Sequence, residues 1–249
     1  ITPKKNIDKK TARPPMDDLI DVSFAGDNCS VSNRSNNNGS NERAHILARA
    51  THRSIVQTLE RKLGLLPGQL CLDTRLNMAF LSAEIHKAYD RLRCVFLPSV
   101  KVLGELLLVL QNPQEAAANN WPDRAVITND DGYIHHEEVF PCEIREFYFV
   151  PLSNWAEDIA IPHVKHLSDG TIKHKLYTAP FVKWDRTPSL PLVNLHCSPY
   201  FIVYGAYLAL QHAKAPSFFK RHVRLVKQIG ELMYEGDSDE SSSSPSPDP

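Results

Sequence analysis

The chain has 249 residues, 42% hydrophobic and 23% charged, with 18 prolines against 10 glycines and a formal net charge of −1. This is the composition of a globular protein with many stiff connections, and it excludes collagenous, coiled-coil and wholly disordered classes. The longest apolar run, residues 102–110, is broken by Gly104 and Glu105 and falls far short of the roughly 20 residues a membrane span needs, so no membrane partner is expected.

The expected elements follow in chain order. Residues 1–15, with Lys4, Lys5, Lys9, Lys10 and Arg13 ahead of Pro14-Pro15, read as a flexible basic arm without a secretory pattern. Residues 33–41, rich in Asn, Ser and Gly, read as the loop of a hairpin. Residues 51–65 carry Ile55, Val56, Leu59 and Leu63 at helical spacing, with Gly64 and Pro67 as the stop. Residues 82–91 form the next helix, with Ser82 as N-cap, followed by a short strand over 94–97 that ends at Pro98. Residues 130–152 look extended, and residues 163–178 alternate around Asp169-Gly170, a strong hairpin signal. Residues 199–213 and 216–234 read as two helices opened by proline, and the Ser/Asp/Pro-rich tail over 236–249 is disordered by composition.

The net charge divides unevenly. Five of the 29 acids lie from Glu235 onward, a stretch without Lys or Arg, leaving 24 acids against 28 basic residues in the rest of the chain. Residues 41–100 hold nine Lys/Arg against five acids, a surplus that would attract phosphate.

That same stretch holds the most definite chemical pattern: His45, Asn77 and His86 in order, with Asp90 four residues after His86. Phosphodiester hydrolysis with a single metal needs a base for the attacking water, a group to orient that base and a cation to neutralise charge on the phosphate. Histidine suits the first task because it titrates near neutrality, and an amide suits the second because it does not titrate. His86 and Asp90, at i and i+4, share one face of a helix.

The strings Ala44-His45-Ile46-Leu47-Ala48-Arg49-Ala50-Thr51, Asp73-Thr74-Arg75-Leu76-Asn77 and His86-Lys87-Ala88-Tyr89-Asp90, opened by Cys29, resemble an HNH nuclease domain of the fungal type, the ββα-metal fold. The stretch from Pro191 to Phe201, with Asn194, His196 and Cys197, is similar to the tail region of that group. The resemblance implies an α+β protein: a ββα-metal core over residues 16–110 and, over 111–235, a C-terminal extension with a β-hairpin and helices packed on it. It implies an endonuclease acting on DNA, with His45 as general base, Asn77 orienting it, and His86 with Asp90 holding one divalent metal. Mg²⁺ or Mn²⁺ is favoured, because a hard cation tolerates a water-rich shell, with Zn²⁺ or Ni²⁺ as alternatives. Arg43, Arg49, Arg53, Arg75 and Lys87 would contact phosphates.

One position departs from the pattern. Many members carry an acid or a second histidine immediately before the first motif histidine as a metal ligand, and here that residue is Ala44. Either His45 is itself a ligand, or His86, Asp90 and water hold the metal, or the site is degenerate. The alternative function is an inactive scaffold of the same fold that binds nucleic acid or a protein.

Other features read as structural. Asp73 is a candidate metal ligand, but reads first as a turn-former before Thr74. His135, His136, Glu137 and Glu138 are exposed strand positions that cannot converge, because strand neighbours point to opposite faces. His163, His166 and His174 form a solvent-facing row across the hairpin. Trp155, Trp184 and the aromatics of 140–149 are core. Five scattered cysteines without a Cys-x-x-Cys pair read as buried thiols of a reducing compartment, which places the protein in cytoplasm or nucleus.

Overall fold

The computed structural model describes residues 13–36, 39–123, 125–156, 159–166, 169–183 and 187–234. Most of the expected basic arm and the whole acidic tail lie outside the described residues, as does Trp184. The fold is α+β.

Helix α1 (Met16–Val22) precedes strand β1 (Asn41–His45). β1 pairs antiparallel with β2 (Met78–Ser82), in a register that sets Asn41 opposite Ser82 and His45 opposite Met78. The excursion between them carries helix α2 (Arg53–Lys62) and a 3-10 turn over Arg75–Asn77. β2 runs directly into helix α3 (Ala83–Asp90). Alternation along β2 explains its burial on both faces: Met78 and Phe80 meet Leu19 of α1, while Ala79 and Leu81 enter the main core with Ala44.

The hairpin expected around residues 33–41 does not form with the preceding segment, since the partner of β1 is β2. Residues 29–34 instead make a compact turn closed by Cys29 N–H to Arg34 O and Asn33 N–H to Cys29 O, with Asn33 at φ 52°. Ser30 N–H docks this turn on Phe80 O, and the Asn41 amide donates to Asp27 O and Arg34 O. Side-chain amides thus take the place of a strand ladder.

Strands β3 (Cys94–Pro98), β4 (Arg145–Pro151) and β7 (Leu192–Leu195) form an antiparallel sheet with β4 in the middle. Against it lie α4 (Val100–Gln111), α7 (Pro199–Leu210) and α8 (Lys220–Tyr234). α7 is apolar on nearly every side because it is enclosed by β3, α8 and α4. α8 is amphipathic and buries Val226, Ile229 and Met233 at helical spacing. Gly230 of α8 faces the Tyr207 ring, where a Cβ would lie 2.1 Å from a ring carbon. One continuous apolar cluster reaches from Cys29 to Met233 and so includes residues on both sides of position 110.

The stretch 130–152 is extended only in β4. Helix α5 (Pro113–Asn120) is followed by a connection and a short helix α6 (His136–Val139), whose N-cap is the His135 imidazole accepting from Glu137 N–H. The connection wraps the C-terminus of α2: Asn129 Nδ2 donates to Arg61 O at 2.8 Å, and His136 N–H donates to Leu63 O at 2.9 Å. Those contacts satisfy carbonyls that a helix end leaves open. Gly64, at φ 69°, allows the approach, because a Cβ there would lie 2.5 Å from the backbone of Ile134 and His135.

β5 (Ile161–His166) and β6 (Ile172–Tyr177) form the hairpin signalled by Asp169-Gly170, with Gly170 at φ 81°. Among the described residues no helix is long and apolar enough to cross a membrane.

Candidate functional site

The end of β1, the loop that follows it, α3 and the middle of α7 enclose a cleft of about 790 Å³. His45 and His86 both line it, as do Arg13, Arg43, Arg49 and Asp90. α7 comes close to the floor because residue 205 is glycine: a Cβ there would lie 3.1 Å from Ile46 O and from Tyr89 Oη. Tyr89 of α3 donates its hydroxyl to Ile46 O at 2.8 Å, tying the helix to the residue after His45.

His45, the last residue of β1, has a side chain 10% exposed, with Nε2 3.0 Å from Asp73 Oδ1. The other Asp73 oxygen accepts from Arg49 Nε at 3.1 Å. Desolvation holds the His45 pKa below its ordinary 6.5; the bond and charge of Asp73 oppose that shift, and the nearby charges of Arg13 and Arg49 add to it. The imidazole is therefore neutral at neutral pH. With a carboxylate accepting at Nε2, the single ring proton belongs on that atom, and Nδ1 keeps the lone pair.

Asn77 is fully buried, and its side-chain hydrogen bonds go to Leu47 and Leu72. Its Oδ1 accepts from Leu47 N–H at 2.8 Å, and its Nδ2 donates to Leu47 O at 2.9 Å and Leu72 O at 3.0 Å. Leu47 lies two residues after His45 and Leu72 one residue before Asp73, so the amide clamps the two loops that carry the pair. The side chain of Asn77, expected to orient His45, thus reaches the backbone of the two loops on either side of the His45–Asp73 pair. The stretch 196–198 backs the same segment, through His196 Nε2 to Arg75 O, Cys197 Sγ to Met78 O and Ser198 N–H to Leu76 O.

At the other end of the cleft, His86 Nδ1 lies 2.6 Å from Glu42 Oε2 and Nε2 lies 3.5 Å from Asp90 Oδ2. The imidazole is 21% exposed, and the two acids are more than half exposed. Among the described residues no three His, Cys, Asp or Glu side chains are grouped as a ready metal cage. Glu42 and Asp90 stand at different nitrogens of the His86 ring, each presenting carboxylate oxygens at this end of the cleft.

Of the five expected phosphate contacts, Arg43 and Arg49 line the cleft, and Arg43 also donates to Pro14 O at 2.9 Å. Arg53, Arg75 and Lys87 are exposed but are not among its lining residues. Arg13, in the expected arm, does line it. Sequence reasoning missed Glu42 as a partner of His86 and took Asp73 for a turn-former. The turn is made by Thr74, whose hydroxyl accepts from Leu76 N–H. The available signal for Asp73 was its place at the head of the string that ends in Asn77.

The remaining histidines do not build a second centre. His136 is buried in a helix instead of exposed on a strand; burial, with the charge of stacked His135, pushes its pKa down to about 4. His163 stands opposite Lys175 and His174 opposite Val164, so these two point to opposite faces of the hairpin, and His163 Nδ1 bonds to Val31 O. The side chain of His166 lies outside the described set. Cys29, Cys94 and Cys197 are buried free thiols, whereas Cys71 and Cys142 are only half-buried. No protein-family model, curated protein or solved structure matches the chain.

Proposed function

We propose that the cleft is the active site of an endonuclease of the HNH, ββα-metal type, which hydrolyses phosphodiester bonds of DNA with the help of one divalent cation, Mg²⁺ or Mn²⁺. The observation that carries this reading is the convergence on one cleft of His45 from the first strand and His86 from the following helix, with Asn77 clamping the loops behind His45. His45 Nδ1 takes a proton from the attacking water while Asp73 holds the Nε2 proton and the ring's orientation. The water oxygen bonds to phosphorus, the bond from phosphorus to the leaving ester oxygen breaks, and that oxygen takes a proton from solvent. Arg43 and Arg49 hold non-bridging phosphate oxygens. His86, Glu42 and Asp90 would hold the cation, which supplies charge neutralisation at the phosphate. Glu42 brings a carboxylate to this end of the cleft from β1, which answers the departure at Ala44, a buried core residue.

A second reading, an inactive scaffold of the same fold that binds nucleic acid or a protein, is favoured by the pairing of both His86 nitrogens with carboxylates. Nicking of supercoiled plasmid with Mg²⁺, Mn²⁺, Ni²⁺ or Zn²⁺ separates the two. We expect metal-dependent cleavage that falls by about 100-fold or more in His45→Ala and in His86→Ala, the scale of acid-base catalysis. No metal-dependent cleavage, or wild-type rates in both variants, overturns the nuclease reading.

A further inference from the structure

The β5–β6 hairpin stands as a sheet of two strands, and its register sorts the side chains onto two faces. One face starts at the buried pair Ile161 and Tyr177, passes His163 opposite Lys175, and reaches Lys165 opposite Lys173 toward the turn. All three lysines are exposed. Lys175 Nζ lies 4.3 Å from the centre of the Tyr177 ring, and none of the three has an ion-pair partner among the described residues. Asp169, the one acid over residues 161–177, sits in the turn, where its Oδ1 accepts from Thr171 N–H.

Like charges set directly opposite each other across a ladder repel, at a cost to stability. Lysines on a free edge strand keep other chains from pairing with it, which would account for Lys173 and Lys175 on β6. Edge protection does not account for Lys165. Its strand, β5, has its outer side taken by the turn over residues 29–34, through Val164 N–H to Ser32 O and Asn33 Nδ2 to Val164 O. The opposed lysines have a use where their charge meets an anion outside the molecule. A two-stranded ribbon is narrow enough for the major groove of duplex DNA, so phosphates on either side come within reach of its lysines. The turn that holds β5 is bonded in its own right to β1, through the Asn41 amide to Arg34 O, so the ribbon is fixed to the strand that ends in His45.

We infer that the lysine face of the β5–β6 hairpin is a contact surface for duplex DNA outside the cleft, with Lys165, Lys173 and Lys175 pairing backbone phosphates. The inference rests on the nuclease reading of the cleft and adds a second place where the same substrate is held. An acidic protein segment carries the same sign of charge, so the test separates the two partners.

The experiment measures binding of a fluorescent duplex oligonucleotide by anisotropy over a range of salt concentrations. It uses the full chain with His45→Ala to prevent cleavage, alone, with Lys165→Gln and Lys173→Gln added together, or with Lys101→Gln added. Lys101, exposed on α4 and paired with Glu105, is the control for net charge. We expect the paired substitutions to lower the slope of log affinity against log salt by about two and to weaken binding about tenfold at low salt, with Lys101→Gln changing neither. Removing an opposed like-charge pair leaves the melting temperature unchanged or higher, which separates lost binding from lost folding. Unaltered affinity and slope in the paired variant overturn the surface even if the wild-type protein nicks plasmid. An equal fall per charge in Lys101→Gln traces the effect to net charge and also overturns it. Weakened binding in a protein whose wild type shows no metal-dependent nicking supports the surface while removing the nuclease reading. Titration with a polyglutamate peptide is the second arm: a signal lost in the paired variant without any change in duplex binding assigns the hairpin to an acidic protein and overturns the DNA contact. Light scattering is the third: self-association of the paired variant, with duplex binding by its monomer unchanged, assigns the lysines to edge protection and overturns it as well.

Discussion

The two histidines of the cleft are the same residue type in opposite settings. His45 sits at a strand end under a loop, nine-tenths buried, with one nitrogen committed to a carboxylate that is itself buried and held by Arg49. His86 sits on a helix surface between two carboxylates that are more than half exposed. Burial strips water from His45 and keeps it neutral, which leaves a lone pair for a base; exposure surrounds His86 with movable oxygen donors, which is what a hydrated cation needs. On the proposed nuclease reading the two ends of one cavity do different work, and the contrast comes from the elements that carry the residues.

The sharpest way to break this contrast is at Asp73. Asp73→Asn replaces a carboxylate that accepts from both His45 and Arg49 with an amide whose one oxygen accepts from only one side, and plasmid nicking is expected to fall by about a thousandfold, within the range for a mispositioned base; a change under threefold separates Asp73 from His45's task. Next in size is Asn77→Ala, which leaves Leu47 N–H, Leu47 O and Leu72 O without their side-chain partner. A loss of about 3 kcal/mol in denaturant unfolding is expected, with activity reduced even where the protein stays folded.

Acid separates burial at His45 from burial elsewhere. The unfolded chain binds a proton at residue 136 near pH 6.5 and the folded chain only near pH 4, so stability falls as pH drops through that window, by about 3 kcal/mol. His136→Leu flattens that limb in unfolding curves taken from pH 7 to 4. Nicking by a stably folded protein instead declines as His45 is protonated, below pH 6.5, and the His136 variant keeps that decline. The smallest effect belongs to the exposed end: Glu42→Gln moves stability by less than about 1 kcal/mol while raising the Mn²⁺ concentration needed for nicking.

Local signals were legible in the sequence where the physics is local. The periodicity of Ile55, Val56, Leu59 and Leu63 marks α2, Pro199 marks the start of α7, and Asp169-Gly170 marks the β5–β6 turn, whereas Pro216 opens a 3-10 turn over Ser217–Phe219 and α8 begins only at Lys220. The pairing of β1 with β2 across residues 46–77 was not legible, because a ladder closed over so long an excursion depends on tertiary packing against α1 and the core. The order and spacing of His45, Asn77 and His86 were visible, but the carboxylates that differentiate the two imidazoles were not. Glu42 and Asp73 reach their partners from 44 and 28 positions away, distances that no spacing rule covers. Charge counted along the chain likewise could not say that Arg49 lines the cleft while Arg53, four residues on, does not.

The account turns on His45 as the base that deprotonates water. Its most direct test is plasmid nicking by His45→Ala in Mn²⁺ with and without added imidazole. We expect the variant to be nearly inert alone and to regain activity in proportion to free imidazole, with a pH dependence that follows the imidazole supplied. Wild-type rates without imidazole contradict the assignment and return His45 to the structural residues.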